Sequence, residues 1–340
     1  LGRARALIVN AGNSNAFTFE KGIAKNNATL DAYEQLSGAP RHECYLGATG
    51  VVGVPVTPGL IADVLPDVWE RLSSDFDWLT LASSFMTTDT FPKGAGRTVK
   101  VGGKTISVAG IAKGSGMIAP NMATMLAFLF TDAHLPVRIL NSLLRPANER
   151  SFNSITVDGD TSTSDTCLLF ATGAGARHPA VTRARDTRLD AFRTVLQEVM
   201  TDLAQQIVRD GEGAEKFLTV QVHGAVSEAS ARRAALVVAN SPLVKTALAG
   251  ADPNWGRLVM AVGRSGERIR PKKMVIAIGG QTVARGGTEL PSYREDEAAR
   301  HMQGRDINFD LDLAVGSGAA AVWTCDLTHR YIDINADYRS

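Results

Sequence analysis

The sequence predicts an α/β protein built from packed layers of helices and sheets. Two patterns carry that expectation, and the 340-residue length sets its scale. Between residues 188 and 209, Leu189, Phe192, Leu196, Val199, Leu203 and Ile207 recur three or four apart with charge between them. That is the spacing of a helix with one apolar face. In Ile307-Asn308-Phe309-Asp310-Leu311-Asp312-Leu313 apolar and polar residues alternate strictly, the period of a half-buried strand. The length exceeds the roughly 150 residues of an ordinary domain, so two lobes are expected.

Along the chain, Ala6-Leu7-Ile8-Val9-Asn10 reads as a buried strand that stops at the turn residues Gly12 and Asn13. Ile61, Val64, Leu65, Val68 and Leu72 fall at helical spacing, with Pro66 marking a kink or a displaced start. Alternation reappears at Leu218, Val220 and Val222, and further strands are expected at Met274 to Ile278, Val322 to Asp326 and Tyr331 to Ile334. The late strands are close enough in sequence to pair antiparallel, which favours stacked layers over a regular doubly wound sheet. Residues 145–166 read as the longest loop. Polar stretches surround 173–187 and 280–294.

Composition narrows the function. With 44% hydrophobic and 21% charged residues this is an ordinary globular chain. Its 36 Lys plus Arg offset 35 Asp plus Glu for a net charge of +1, which argues against work on nucleic acid or on anionic membranes. No run approaches the roughly 20 apolar residues of a membrane span, and no secretory signal is visible. Cys44, Cys167 and Cys325 are too few and too scattered for a disulfide framework or a zinc knuckle, so a reducing, cytoplasmic setting is expected.

Several motif fragments fail. Gly102-Gly103-Lys104-Thr105 ends like a phosphate loop, but Thr98 stands where its first glycine is required. Gly316-Ser317-Gly318-Ala319-Ala320-Ala321 matches a loose dinucleotide pattern with no room left for the βαβ unit. The six histidines show no metal-ligand spacing and no G-x-S-x-G elbow occurs, so neither a metal site nor a serine hydrolase is expected.

One stretch carries chemistry: Lys113-Gly114-Ser115-Gly116-Met117-Ile118-Ala119-Pro120-Asn121-Met122-Ala123-Thr124-Met125-Leu126. Read plainly, it is a tight turn leading into a buried strand or helix. A second reading starts at the Ala123-Thr124 bond. A threonine hydroxyl is a weak nucleophile until a base takes its proton. Cutting the chain before Thr124 frees an α-amino group of ordinary pKa about 7.7–8.0 beside that hydroxyl, and the amine then serves as base. The same hydroxyl can make the cut by attacking the Ala123 carbonyl, forming an ester that water releases.

That stretch resembles, nearly residue for residue, the self-processing site of the glutamate N-acetyltransferase family, also called ornithine acetyltransferase. Six further segments agree in order: Val9 to Ala16, Ala48 to Gly53, Met86 to Lys93, Asp210 to Ala214, Asp252-Pro253-Asn254-Trp255-Gly256-Arg257, and Asn335 to Ser340. The resemblance implies a layered α/β sandwich of the type shared by ornithine acetyltransferase and DmpA, with two lobes and the site between them. It implies an α chain of residues 1–123 and a β chain of 124–340 that co-fold into one α/β unit. Oligomers of αβ units follow, α2β2 or larger. Family members carry several dozen residues ahead of the first strand, which this sequence, opening at Leu1, does not include.

The implied site places Thr124 as nucleophile, Thr49 and Gly50 as the oxyanion hole, and Thr87, Lys113, Thr124, Glu212, Asn335 and Ser340 as substrate-binding residues. Cleavage falls between Ala123 and Thr124. The implied reaction moves the acetyl group of N-acetylornithine to glutamate through an acetyl-threonine intermediate. No cofactor is implied, although some relatives also take acetyl from acetyl-CoA. The rivals are an N-terminal-nucleophile amidohydrolase or aminopeptidase, an antibiotic-pathway acetyltransferase, and a non-catalytic amino-acid-binding protein. Asp158 to Thr166 superficially suggests a metal loop but lacks the terminal Glu of an EF-hand, and reads as structural or site-lining. Asp252 to Arg257 reads as a packed loop near the site.

Overall fold

A computed structural model describes residues 2–119 and 125–337. The protein is mixed α/β, and the chain divides into two compact units woven from non-contiguous segments. Among the described residues the first comprises 2–114, 125–148 and 161–203, the second 115–119, 149–160 and 204–337.

The first unit opens with β1 (Ala6–Asn10), α1 (Phe19–Ser37) and β2 (Cys44–Ala48), and β1 pairs parallel with β2. Alternation along β1 divides its side chains. Leu7 and Val9 join a cluster with Phe85, Ile111, Leu126 and Phe128, while Ala6 and Ile8 join one with Tyr33, Cys44 and Leu65. Short helices follow: α2 (Gly59–Ala62), α3 (Leu65–Glu70) and α4 (Trp78–Ser83). The helical spacing at 61–72 is thus split in two, with Pro66 in the first turn of α3, where its missing N–H costs nothing.

A four-stranded sheet completes this unit, in the order β3 (Lys93–Val101), β4 (Lys104–Lys113), β5 (Leu126–Thr131), β6 (Thr166–Ala171). The phosphate-loop lookalike proves to be the two-residue hairpin turn between β3 and β4. β4 and β5 pair antiparallel from Lys113 opposite Leu126 to Val108 opposite Thr131. Between β5 and β6 lies α5 (Val137–Glu149), so the expected loop at 145–166 begins five residues late. After β6 comes α6 (Asp190–Arg209), whose predicted apolar positions Phe192, Leu196, Val199, Leu203 and Ile207 are all wholly buried. Each such side chain contributes about 1.5–3 kcal/mol of burial.

The second unit is built on a six-stranded sheet. Its elements run β7 (Phe217–Ala225), α7 (Glu228–Ala239), α8 (Pro242–Ala249), α9 (Trp255–Gly263), β8 (Val275–Ile278), β9 (Gln281–Arg285), β10 (Thr288–Glu289), α10 (Glu295–Met302), β11 (Asp306–Asp312), β12 (Gly318–Cys325) and α11 (His329–Ala336). The strand order is β10-β9-β8-β11-β7-β12. All pairings are antiparallel except β11 with β7. Leu218, Val220, Val222, Ile307, Phe309 and Leu311, the alternating residues of the sequence, face one core with Ala231, Ala235 and Val238 of α7.

One expectation fails here and another is met only in part. Residues 331–334 are helical, inside α11, rather than a strand. Tyr331 and Ile334 are the less exposed positions and lie three apart, so four residues were too few to separate the two periods. The expected loop at Asp252 to Arg257 holds for residues 252–254 and gives way to helix at Trp255, where the Asn254 side chain accepts the Arg257 N–H and caps α9.

Candidate active site

Thr49 directly follows β2, and its N–H donates to the Asn10 carbonyl at the end of β1, 3.0 Å away. That amide is therefore occupied. What Thr49 can offer an oxyanion is its hydroxyl, alongside the N–H of Gly50. Gly50 has φ +122, and a Cβ there would lie 2.2 Å from the Gly12 carbonyl carbon, so only glycine fits.

Lys113, the last residue of β4, is 2% exposed. Its ammonium donates to the Thr87 hydroxyl at 2.7 Å and to the Thr49 hydroxyl at 3.4 Å, and it stands 3.6 Å from Asp89 Oδ2. The structure thus brings Thr49, Thr87 and Lys113 together. Asp89 and Lys93 lie beside them with no predicted role. Asp89 Oδ1 accepts from Lys93 Nζ and from the Gly114 N–H, both at 2.7 Å, and Oδ2 accepts the Thr87 N–H at 3.1 Å. Burial by itself would raise the Asp89 pKa. The charges of Lys93 and Lys113 and these hydrogen bonds outweigh it, holding the carboxyl below its ordinary value.

In the second unit Ser115 donates its hydroxyl to the Asp210 carbonyl at 2.5 Å and accepts the Glu212 N–H at 3.0 Å. These bonds seat Glu212, itself 8% exposed, against Gly116. A Cβ on Gly116 would come within 2.3 Å of the Glu212 carboxylate. Asn335 on α11 donates its side-chain amide to Glu212 Oε2 at 2.9 Å and to the Tyr331 carbonyl at 3.0 Å. Glu212 and Asn335, both predicted, therefore form one hydrogen-bonded pair.

Thr124, Ala123 and Ser340 lie outside the described residues, but the chain on either side of 120–124 is held. Asp158 accepts the N–H groups of Met117 at 2.7 Å and Ile118 at 2.9 Å. Its carboxyl is pushed up by burial, and Tyr331 donates its hydroxyl to the same group at 3.3 Å. Asp165 accepts the Met125 N–H at 3.0 Å. Burial raises the Asp165 carboxyl to about 7, and its second oxygen is buried with no partner among the described residues. Both aspartates sit in the 158–166 segment that the sequence reads as structural or site-lining. The signal that singles them out is acidic side chains amid hydroxyl residues, a pattern that fits ordinary turns equally well.

Among the described residues no group of three His, Cys, Asp or Glu side chains is placed to hold a metal ion, and no helix is long and apolar enough to cross a membrane. The three cysteines are free thiols, Cys44 and Cys325 buried.

The family model that describes ArgJ matches residues 1–340. Proteins named arginine biosynthesis bifunctional protein ArgJ from Brucella melitensis biotype 1 and from Agrobacterium fabrum are each 50% identical over 341 aligned residues, which cover 100% of this chain and 82% of theirs. The crystal structure of arginine biosynthesis bifunctional protein ArgJ from Bacillus halodurans superposes with a TM-score of 0.58 at 37% identity, over 61% of this chain and 96% of that one. With half of its residues shared along its whole length, the chain belongs to the ArgJ family.

Proposed function

We propose that this protein is the ornithine acetyltransferase of arginine biosynthesis, moving the acetyl group of N2-acetylornithine to glutamate through an ester on Thr124. The observation that carries this reading is the full-length 50% identity to proteins named for that pathway. The donor presents a carboxylate, an amide and an amine, and the chain supplies matching groups. Lys113, buried among hydroxyls, suits the carboxylate, and Glu212, steadied by Asn335, suits the amine.

The steps follow from those groups. The chain first cuts itself between Ala123 and Thr124, giving an α chain of 1–123 and a β chain of 124–340. The freed amine takes the proton of Thr124 Oγ as that oxygen attacks the acetyl carbonyl carbon. The tetrahedral oxyanion is met by the Thr49 hydroxyl and the Gly50 N–H, typically about 3–4 kcal/mol per donor. Collapse breaks the C–N bond, the ammonium returns its proton to the leaving amine, and ornithine departs. The amine of glutamate then attacks the acetyl ester, restores Thr124 and leaves as N-acetylglutamate. Acetyl-CoA is a second acetyl donor in this reading. The two chains stay associated, as α2β2 or a larger assembly.

Intact mass under denaturing conditions, with N-terminal sequencing, tests the reading. Two fragments are expected, the second beginning Thr124-Met125-Leu126. Incubation with N-acetylornithine alone adds one acetyl group to that fragment, and glutamate removes it. Thr124→Ala remains one chain and transfers nothing. Transfer at the wild-type rate by that variant overturns the assignment, and steady acetate release without glutamate makes the enzyme a hydrolase.

A further inference from the structure

The first unit contains a cavity of about 170 Å³ lined by β1, β2, α1 and residues 163–166. Thr49, Gly50, Thr87 and Lys113 do not line it. Among its described lining residues are the polar side chains of Asn10, Asn15, Asn26, Thr163 and Ser164, a single cation, Lys25, and no carboxylate. Lys25 is 3% exposed, and its ammonium donates to Asn10 Oδ1 at 2.8 Å, its one hydrogen bond to a described residue.

The neighbours are committed elsewhere. The Thr29 hydroxyl donates back to the Lys25 carbonyl at 2.9 Å, and the Asn10 amide donates to the Asn13 carbonyl at 2.8 Å. An ammonium carries three protons to donate. A buried charge met by one neutral oxygen is costly, and here burial pushes the Lys25 pKa below its ordinary value. A charge left short of partners beside an open polar space is the signature of a site whose partner arrives from outside.

We propose that this cavity binds a small carboxylate, its oxygens taking the two unused Lys25 protons and the rest of the molecule lying against Asn15, Asn26, Thr163 and Ser164. One cation suits a single negative charge, whereas phosphate sites gather arginine forks or several backbone N–H groups. Space on this scale admits a molecule of up to about ten heavy atoms, by comparison with the roughly 150 Å³ cavity that accepts benzene. The ligand is thus of acetate to amino-acid size.

Titration of the full chain with sodium acetate at constant ionic strength, followed by calorimetry and by Tm, tests the site. Acetate is expected to bind and to raise Tm, and its neutral analogue acetamide to do neither. Lys25→Met weakens acetate binding roughly tenfold or more, as befits loss of a charge-assisted contact. Without acetate it melts above the wild type, because the isolated charge is gone. Thr163→Phe fills the cavity from its exposed rim, leaves Lys25 in place and blocks binding, which decides the matter should Lys25→Met fail to fold. Undiminished binding by folded Lys25→Met or by Thr163→Phe, or no response from the wild type, overturns the proposal.

Discussion

Asp89 and Lys93 form an ion pair 2.7 Å long in which neither side chain has any exposure. The carboxylate is not spent on one partner, because it also faces Lys113 and takes the N–H groups of Thr87 and Gly114. Desolvating two opposite charges is repaid only when the remaining lone pairs are satisfied. Asp89 meets that condition, and in doing so it fixes Thr87 and Lys113, two of the residues proposed to bind the substrate.

Asp89→Asn is therefore expected to lower stability by about 3–5 kcal/mol, the usual cost of stranding buried charge. Urea unfolding at neutral pH measures it. The pH dependence has a definite sign. Because the folded pKa lies below the unfolded value, the carboxylate stabilises the fold above about pH 4 and loses that contribution as pH falls through the folded value. The gap between wild type and variant should close in that acid window.

Gly116→Ala separates site from fold. Its new Cβ meets the end of the Glu212 side chain, which can swing aside, rather than fixed backbone. The expected outcome is a rise in KM for the amine-bearing substrate of about tenfold, from a displaced charge-assisted contact, with little change in Tm. An unchanged KM would remove Glu212 from substrate binding.

Asp165→Asn addresses the carboxyl that burial raises to about 7. The unfolded chain ionises this group from about pH 4, so between there and about pH 7 the native state binds the extra proton and stability falls as pH rises. The neutral variant escapes that penalty. Its Tm should exceed the wild type's by more at pH 8 than at pH 5, and equal differences at both pH values would contradict the assignment.

Thr124→Ser keeps both the hydroxyl and the α-amine that the proposed chemistry requires. It should cut itself and form the acetyl ester more slowly than the wild type. Time-resolved intact mass reads both events.

The sequence makes α6, β7 and β11 legible because one face of each is apolar and the other polar or charged, so period alone identifies them. It conceals α1, although that helix has nineteen residues, because its buried positions are Gly22, Lys25, Thr29 and Tyr33, a mostly polar face. α7 hides for the opposite reason, since its buried face is alanine-rich and shows little contrast. The proposed roles of Thr49, Gly50, Thr87, Lys113, Glu212 and Asn335 come from the family resemblance rather than from any local pattern. Asp158 and Asp165 escaped because their carboxylates take backbone N–H groups distant in sequence, and Asp89 because, besides its neighbours Thr87 and Lys93, it also meets Lys113 and the Gly114 N–H. Only the folded chain brings those donors to them.

The pairing of β4 with β5 has a consequence for the way the enzyme survives stress. Their register joins residues 108–113 to residues 126–131, so the proposed cut falls between two neighbouring strands of one sheet. Before the cut, a melted molecule holds all of its strands on one thread, and recovery is independent of concentration. Afterwards the same sheet must be rebuilt from two separate polypeptides, and recovery becomes an encounter whose rate falls on dilution. Processing would arm the nucleophile and, in the same event, convert a protein that refolds alone into one that must find its other half.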